Sequence, residues 1–163
     1  MAEKFGTEGN NNPSSGKEIN MFIHHGSECF LPNVYRHIEN RAYFSKPDGG
    51  LWASRTDAVF GWQEWCQEED FQLYKLKKWF LFDVTPEARI LTIENTSQLD
   101  PLPEVNPFPL AGIVHLDFEE LSRTWDAIEV LISKDEKLYF ALYGWDCDSI
   151  LIMNPKILKL KGE

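Results

Sequence analysis

Apolar residues in this chain come in short bursts separated by polar and proline-containing stretches, rather than in one long amphipathic period. The burst at residues 19–24 predicts a strand that runs straight into Gly26. Leu51, Trp52 and Ala53 follow Gly49-Gly50 and predict a second brief strand, with polar, mixed loop and a short helical turn over 28–48 between the two. Helical spacing first occurs at 56–69, where Val59, Trp62 and Cys66 fall at i, i+3 and i+7 and Trp65 widens the stripe. Asp57 in the first turn suits the helix dipole, whereas Glu68 and Glu69 in the last turn oppose it.

Residues 79–84 and 89–93 predict strands joined by the turn signal Thr85-Pro86-Glu87-Ala88. Pro101, Pro103, Pro107 and Pro109 make 95–110 a long irregular loop. Asp117, with Glu120 three residues on, caps a predicted helix that runs to about 124. Three more strands are predicted at 127–132, 138–143 and 149–153; Asn154-Pro155 closes the last, and a short apolar run at 157–160 follows. Trp62, Trp65, Trp79 and Trp125 sit at helix or strand spacing and are predicted to be core. The pattern shows no internal repeat. It predicts one small α+β domain over 17–163, behind a polar tail at 1–16 expected to be disordered.

Composition supports a core: 43% of the 163 residues are hydrophobic, and a single domain of this size buries roughly 68–70% of its unfolded surface. No stretch approaches the ~18 apolar residues of a membrane span, and the polar N-terminus lacks the apolar core of a signal peptide. Cys29, Cys66 and Cys147 are odd in number and widely spaced, which argues against a zinc site and for a reducing, cytoplasmic location. The net charge of −10 repels long nucleic acids. Residues 36–55 nonetheless carry Arg36, Arg41, Lys46 and Arg55 against only Glu39 and Asp48. Screening over ~8 Å lets such a basic strip survive on an acidic protein, so a compact phosphate-bearing ligand remains compatible.

Two glycine-flanked segments carry the chemistry, His25-Gly26-Ser27 and Gly50-Leu51-Trp52-Ala53-Ser54. With the later Ser149-Ile-Leu-Ile-Met-Asn-Pro155, and in this order, they resemble three motifs of the ADP-ribosyltransferase superfamily, in its diphtheria-toxin and poly(ADP-ribose) polymerase branch. The resemblance implies two packed, mostly antiparallel sheets with about two helices, and NAD bound as substrate in a cleft between the sheets. It puts His25 on a ribose hydroxyl, the Gly26 backbone on the nicotinamide carboxamide, and Ser27 at the end of the first motif. Trp52 would stack on the nicotinamide, and Ser54 or Thr56 would donate to its carboxamide. Lys46, Arg41 or Arg55 would meet the pyrophosphate. His24, next to His25, is expected to face the other way.

The third motif departs from the family. Ser149 occupies the position of the catalytic Glu, and a serine cannot offset the positive charge of the sugar during bond cleavage. Such an electrostatic group is worth on the order of 3–4 kcal/mol. Asp148, which forms an Asp-x-Asp with Asp146, is expected to take the acid's place, helped by a bulge at the strand start; Asp126 or Glu129, on another predicted strand, is the alternative. The expectation is thus an NAD-binding ADP-ribosyltransferase-like protein that modifies a protein or small molecule. Two alternatives stand beside it: a non-catalytic domain binding NAD, ADP-ribose or a partner, and an RNA 2′-phosphotransferase-like enzyme.

Overall fold

The apolar bursts become the strands of one sheet. The computed structural model describes residues 21–42, 44–105 and 112–161, so the expected tail at 1–16 lies outside them. In chain order the elements are β1 (Phe22–His25), β2 (Leu51–Arg55), α1 (Trp62–Glu68), β3 (Trp79–Val84), β4 (Ile90–Ile93), α2 (Phe118–Thr124), β5 (Ala127–Val130), α3 (Lys137–Ala141), β6 (Ser149–Ile152) and β7 (Leu158–Leu160). Short 3-10 turns at Leu73–Lys77, Thr96–Gln98, Ile132–Lys134 and Pro155–Ile157 link them. The fold is α+β.

The strands lie in the order β4-β5-β6-β2-β1-β3-β7. Among the described residues only the β4–β5 pair is parallel; the other paired strands are antiparallel. Two packed sheets were expected; instead the described residues form a single sheet of seven strands, with three short α-helices rather than about two. The turn after β3 does form, with the Ala88 N–H donating to the Thr85 carbonyl. It does not make a hairpin: β3 and β4 go to opposite ends of the sheet.

Both faces of the sheet are covered, which explains why Ile150-Leu151-Ile152 of β6 read as a continuous apolar run, while β5 interrupts its own with the buried Glu129. Ile128, Val130, Leu151 and Met153 point into one core with Phe118, Leu121, Leu138, Leu142 and Trp145. Ala127, Ile150 and Ile152 point into the other, with Phe22, Leu51, Phe80 and Phe82.

Two predicted elements differ. Residues 138–143 read as a strand because Tyr and Phe favour extended backbone, yet Lys137–Ala141 is helical. Leu138, Ala141 and Leu142 are buried while Tyr139, Phe140 and Tyr143 are exposed, which is the i, i+3, i+4 face of a helix. α1 begins six residues later than predicted, at Trp62, and Val59 is 82% exposed instead of core. Its start is set by Ser54, whose Oγ accepts from the Trp62 N–H at 2.9 Å, and by Glu64, which accepts from the Gly61 N–H at 2.9 Å. α2 matches its predicted cap: the Asp117 carboxylate accepts from the Glu120 N–H at 2.9 Å. Trp79 is 49% exposed rather than core, and the fully buried tryptophan is Trp145.

Candidate functional site

The central strands separate, and the cleft lies where they do. β1 pairs with β2 only through Phe22↔Arg55 and Ile23↔Ser54. Beyond that, β1 stays with β3 as far as His25↔Trp79, while β2 stays with β6 back to Leu51↔Ile152. The side chain of His24 bridges the gap, its Nδ1 lying 2.7 Å from the Trp52 carbonyl. A carbonyl can only accept, so Nδ1 carries the proton and Nε2 keeps its lone pair. Burial pushes the pKa of His24 below its usual 6.5, against the upward pull of that carbonyl, so the ring is held neutral at pH 7.

A cavity of about 230 Å³ opens between the separated strands. His24 and His25 stand on one wall, Trp52 and Ala53 on the other, and Asp146, Cys147 and Ser149 line the end contributed by β6 and the loop before it. Trp62 and Lys46 complete the rim. Neither ring nitrogen of His25 has a partner at hydrogen-bond geometry. Burial lowers its pKa, and the Leu76 carbonyl and Glu64 only partly restore it. Trp52 packs edge-on against Trp145, with centroids 4.7 Å apart, and the Lys46 ammonium lies 5.0 Å above its ring. Lys46 also pairs with Asp146 at 3.4 Å. Burial drives the Cys147 thiol up to about 12, so it stays protonated in the cleft.

The predicted site residues divide. His25, Trp52, Lys46 and Ser149 come together in this one cavity. Gly26 has φ of +113°, which suits glycine, but its N–H is committed to the Lys78 carbonyl at 2.8 Å. Ser27 turns back on its own loop, its Oγ donating to the Cys29 carbonyl. Ser54 is buried, with Oγ donating to the Asp148 carbonyl at 2.8 Å while accepting from Trp62 N–H, so its proton is in use. Thr56 is exposed beside a separate shallow pocket near His25. Arg55 points to the other face, where Nε and Nη2 meet Glu129 at 2.5 and 2.9 Å. Arg41 lies over the Phe44 ring, in a neighbouring cavity of about 360 Å³ that shares Lys46 with the cleft.

The expected acid is corrected. Asp148 faces away from the cavity and is 4% exposed; its Oδ1 accepts from the Ser133 N–H at 2.8 Å and its Oδ2 from the Ser133 hydroxyl at 2.6 Å. No bulge turns it inward, and strand alternation keeps it opposite Ser149. Asp126 is held by Arg89 and Asn154; burial alone would raise its pKa, but these partners outweigh that and lower it. Glu129 is taken by Arg55. The carboxylate on the cleft is Asp146. Sequence reasoning also set His24 aside. The signal that could have found it is the strand break itself, since a polar residue at the point of divergence must satisfy the freed carbonyl.

The fold and cleft define a small α+β protein with one polar-rimmed aromatic slot at the fork of its central strands. No family model, curated protein or solved structure matches the chain. Among the described residues, no cluster of His, Cys, Asp and Glu suits a metal ion, and no helix is long and apolar enough to cross a membrane.

Proposed function

We propose that this chain binds NAD in the cleft as an ADP-ribosyltransferase-like protein. The supporting observation is that His25, Trp52 and Ser149, from three motifs far apart in sequence, line one cavity. At about 230 Å³ the cavity suits a single flat ring and is smaller than the ~300–1,000 Å³ of pockets that enclose a whole ligand. The nicotinamide therefore takes the slot against Trp52, displacing the Lys46 ammonium, and the rest of NAD lies along the rim. Lys46 and Arg41, which reach the cleft and the adjoining cavity, meet the pyrophosphate. Asp146, released from Lys46, faces the positive charge that develops as the ribose C1′–nitrogen bond breaks and its electron pair leaves with nicotinamide.

Calorimetry with NAD and chromatography of released nicotinamide test this together. Binding lost in Trp52→Ala, with release lowered about 10²–10³-fold in Asp146→Asn, is the expected pair of results. Binding without release selects a non-catalytic NAD or ADP-ribose domain. That second reading is favoured by the uncharged Ser149 and by the commitment of Asp148 to Ser133. Absence of binding at millimolar NAD sinks both.

A further inference from the structure

A second groove, of about 440 Å³, runs between the end of α1 and the outer face of α3. Four aromatic side chains line it, Phe60, Trp65, Tyr139 and Phe140, together with Ile132 and Ser133. Phe140 is 69% exposed and Tyr139 40%, and their rings meet edge to face at 5.5 Å. Tyr139 and Phe140 stand on the exposed side of α3, Trp65 comes from α1 and Phe60 from the loop just before it. The rim is acidic, with Glu68, Glu69, Glu136 and Asp146, and no Lys or Arg lines the groove.

Asp146 is paired with Lys46, but Glu68, Glu69 and Glu136 have no ion-pair partner among the described residues. Glu68 and Glu69 also stand at the carbonyl end of α1, where the helix dipole adds to their negative field and no basic residue offsets it. A stability argument alone would place cations there. Ring faces beside free carboxylates are the pair of features that receives a guanidinium or ammonium group, through cation–π attraction and a charge-assisted hydrogen bond at once.

We propose that this groove docks an arginine- or lysine-bearing segment of a partner protein. The occupant follows from charge complementarity: exposed aromatic surface demands a cover, and a rim of unpaired carboxylates repels an acidic one. An aliphatic partner would leave three charges desolvated and unpaired, which is costly. The inference goes beyond the NAD reading and does not require it.

The test is fluorescence anisotropy of a short labelled peptide of alternating Arg and Ser against the full chain, at low and at high salt. Because the whole protein is anionic, the decisive comparison is between two triple variants of equal charge. Glu68→Gln/Glu69→Gln/Glu136→Gln should weaken binding by about tenfold or more. The control Glu28→Gln/Glu87→Gln/Asp100→Asn changes exposed carboxylates elsewhere and should leave binding within about twofold. Phe140→Ser should also weaken binding, since the ring is exposed and its loss does not endanger the core. Equal losses in the two triple variants would show attraction to net charge alone and overturn the proposal, as would spermine competing as well for the Phe140→Ser protein as for the parent. NAD titration of each variant, expected to be unchanged, keeps failure of the groove separate from failure of the cleft.

Discussion

Asp146 and Asp148 lie two positions apart, and their surroundings give them opposite tasks. Both oxygens of Asp148 accept hydrogen bonds from Ser133, which tie the start of β6 to the turn after β5. Asp146 is partly exposed and, among the described residues, pairs with Lys46 alone, at 3.4 Å. An Asp148→Asn change presents an amide NH₂ to a donor that needs an acceptor, and should cost about 1–3 kcal/mol. Thermal unfolding should register this as a fall in Tm of about 2–4 °C per kcal/mol. Asp146→Asn should stay within about 0.5 kcal/mol, because a half-open ion pair is worth little. A Tm for Asp148→Asn equal to the parent's would remove the structural role assigned to it. The Asp-x-Asp pattern was plain in the sequence, but the identity of Ser133 as partner was not, since fifteen residues separate it from Asp148.

Among the elements, the start of β2 shows how little freedom the backbone has. Gly49 and Gly50 take φ of +79° and +73°, a region that side chains rarely enter. A Cβ on Gly49 would strike the His37 carbonyl, and one on Gly50 would strike the Leu151 side chain. The close approach expected of this pair is therefore to the protein itself. Gly49→Ala should destabilise by more than the ~1 kcal/mol of an ordinary glycine replacement, because the obstacle is backbone that cannot rotate away. Denaturant unfolding would show a lower midpoint with the slope unchanged; an unaltered midpoint would mean the turn relaxes freely. Propensity misled at α3, where Tyr139, Phe140 and Tyr143 favour a strand but the burial of Leu138, Ala141 and Leu142 demands a helix. It succeeded at α2, where the Asp117 cap is a local interaction complete within four residues.

For the molecule as a whole, the fork between β1 and β2 is the joint on which the cleft depends. Two half-sheets diverge there, each with its own backbone pairing, and the His24–Trp52 bond spans them. Burial lowers the pKa of His24 from 6.5, and His25 is lowered in the same way. The unfolded chain then binds more protons than the folded one below 6.5, so stability is full above that pH and is lost as pH falls toward the lower folded values. Tm should drop between pH 7 and the onset of carboxylate titration, and His24→Gln should flatten that drop. A profile identical in parent and variant would show that the joint does not sense protonation.

The sequence by itself determined most strands, the capped helix α2 and the glycine turn before β2. These follow from alternation, capping and φ restriction, all of which act over a few residues. Only the tertiary structure decided that β3 and β4 part to opposite ends of the sheet, that the strands form one sheet and that Asp146 faces the cleft while Asp148 does not. The same holds for Arg55, whose charge is spent on Glu129 rather than on a ligand. The physical reason is common to all four: each depends on which distant group satisfies a buried hydrogen bond or charge, and no local pattern encodes that partner.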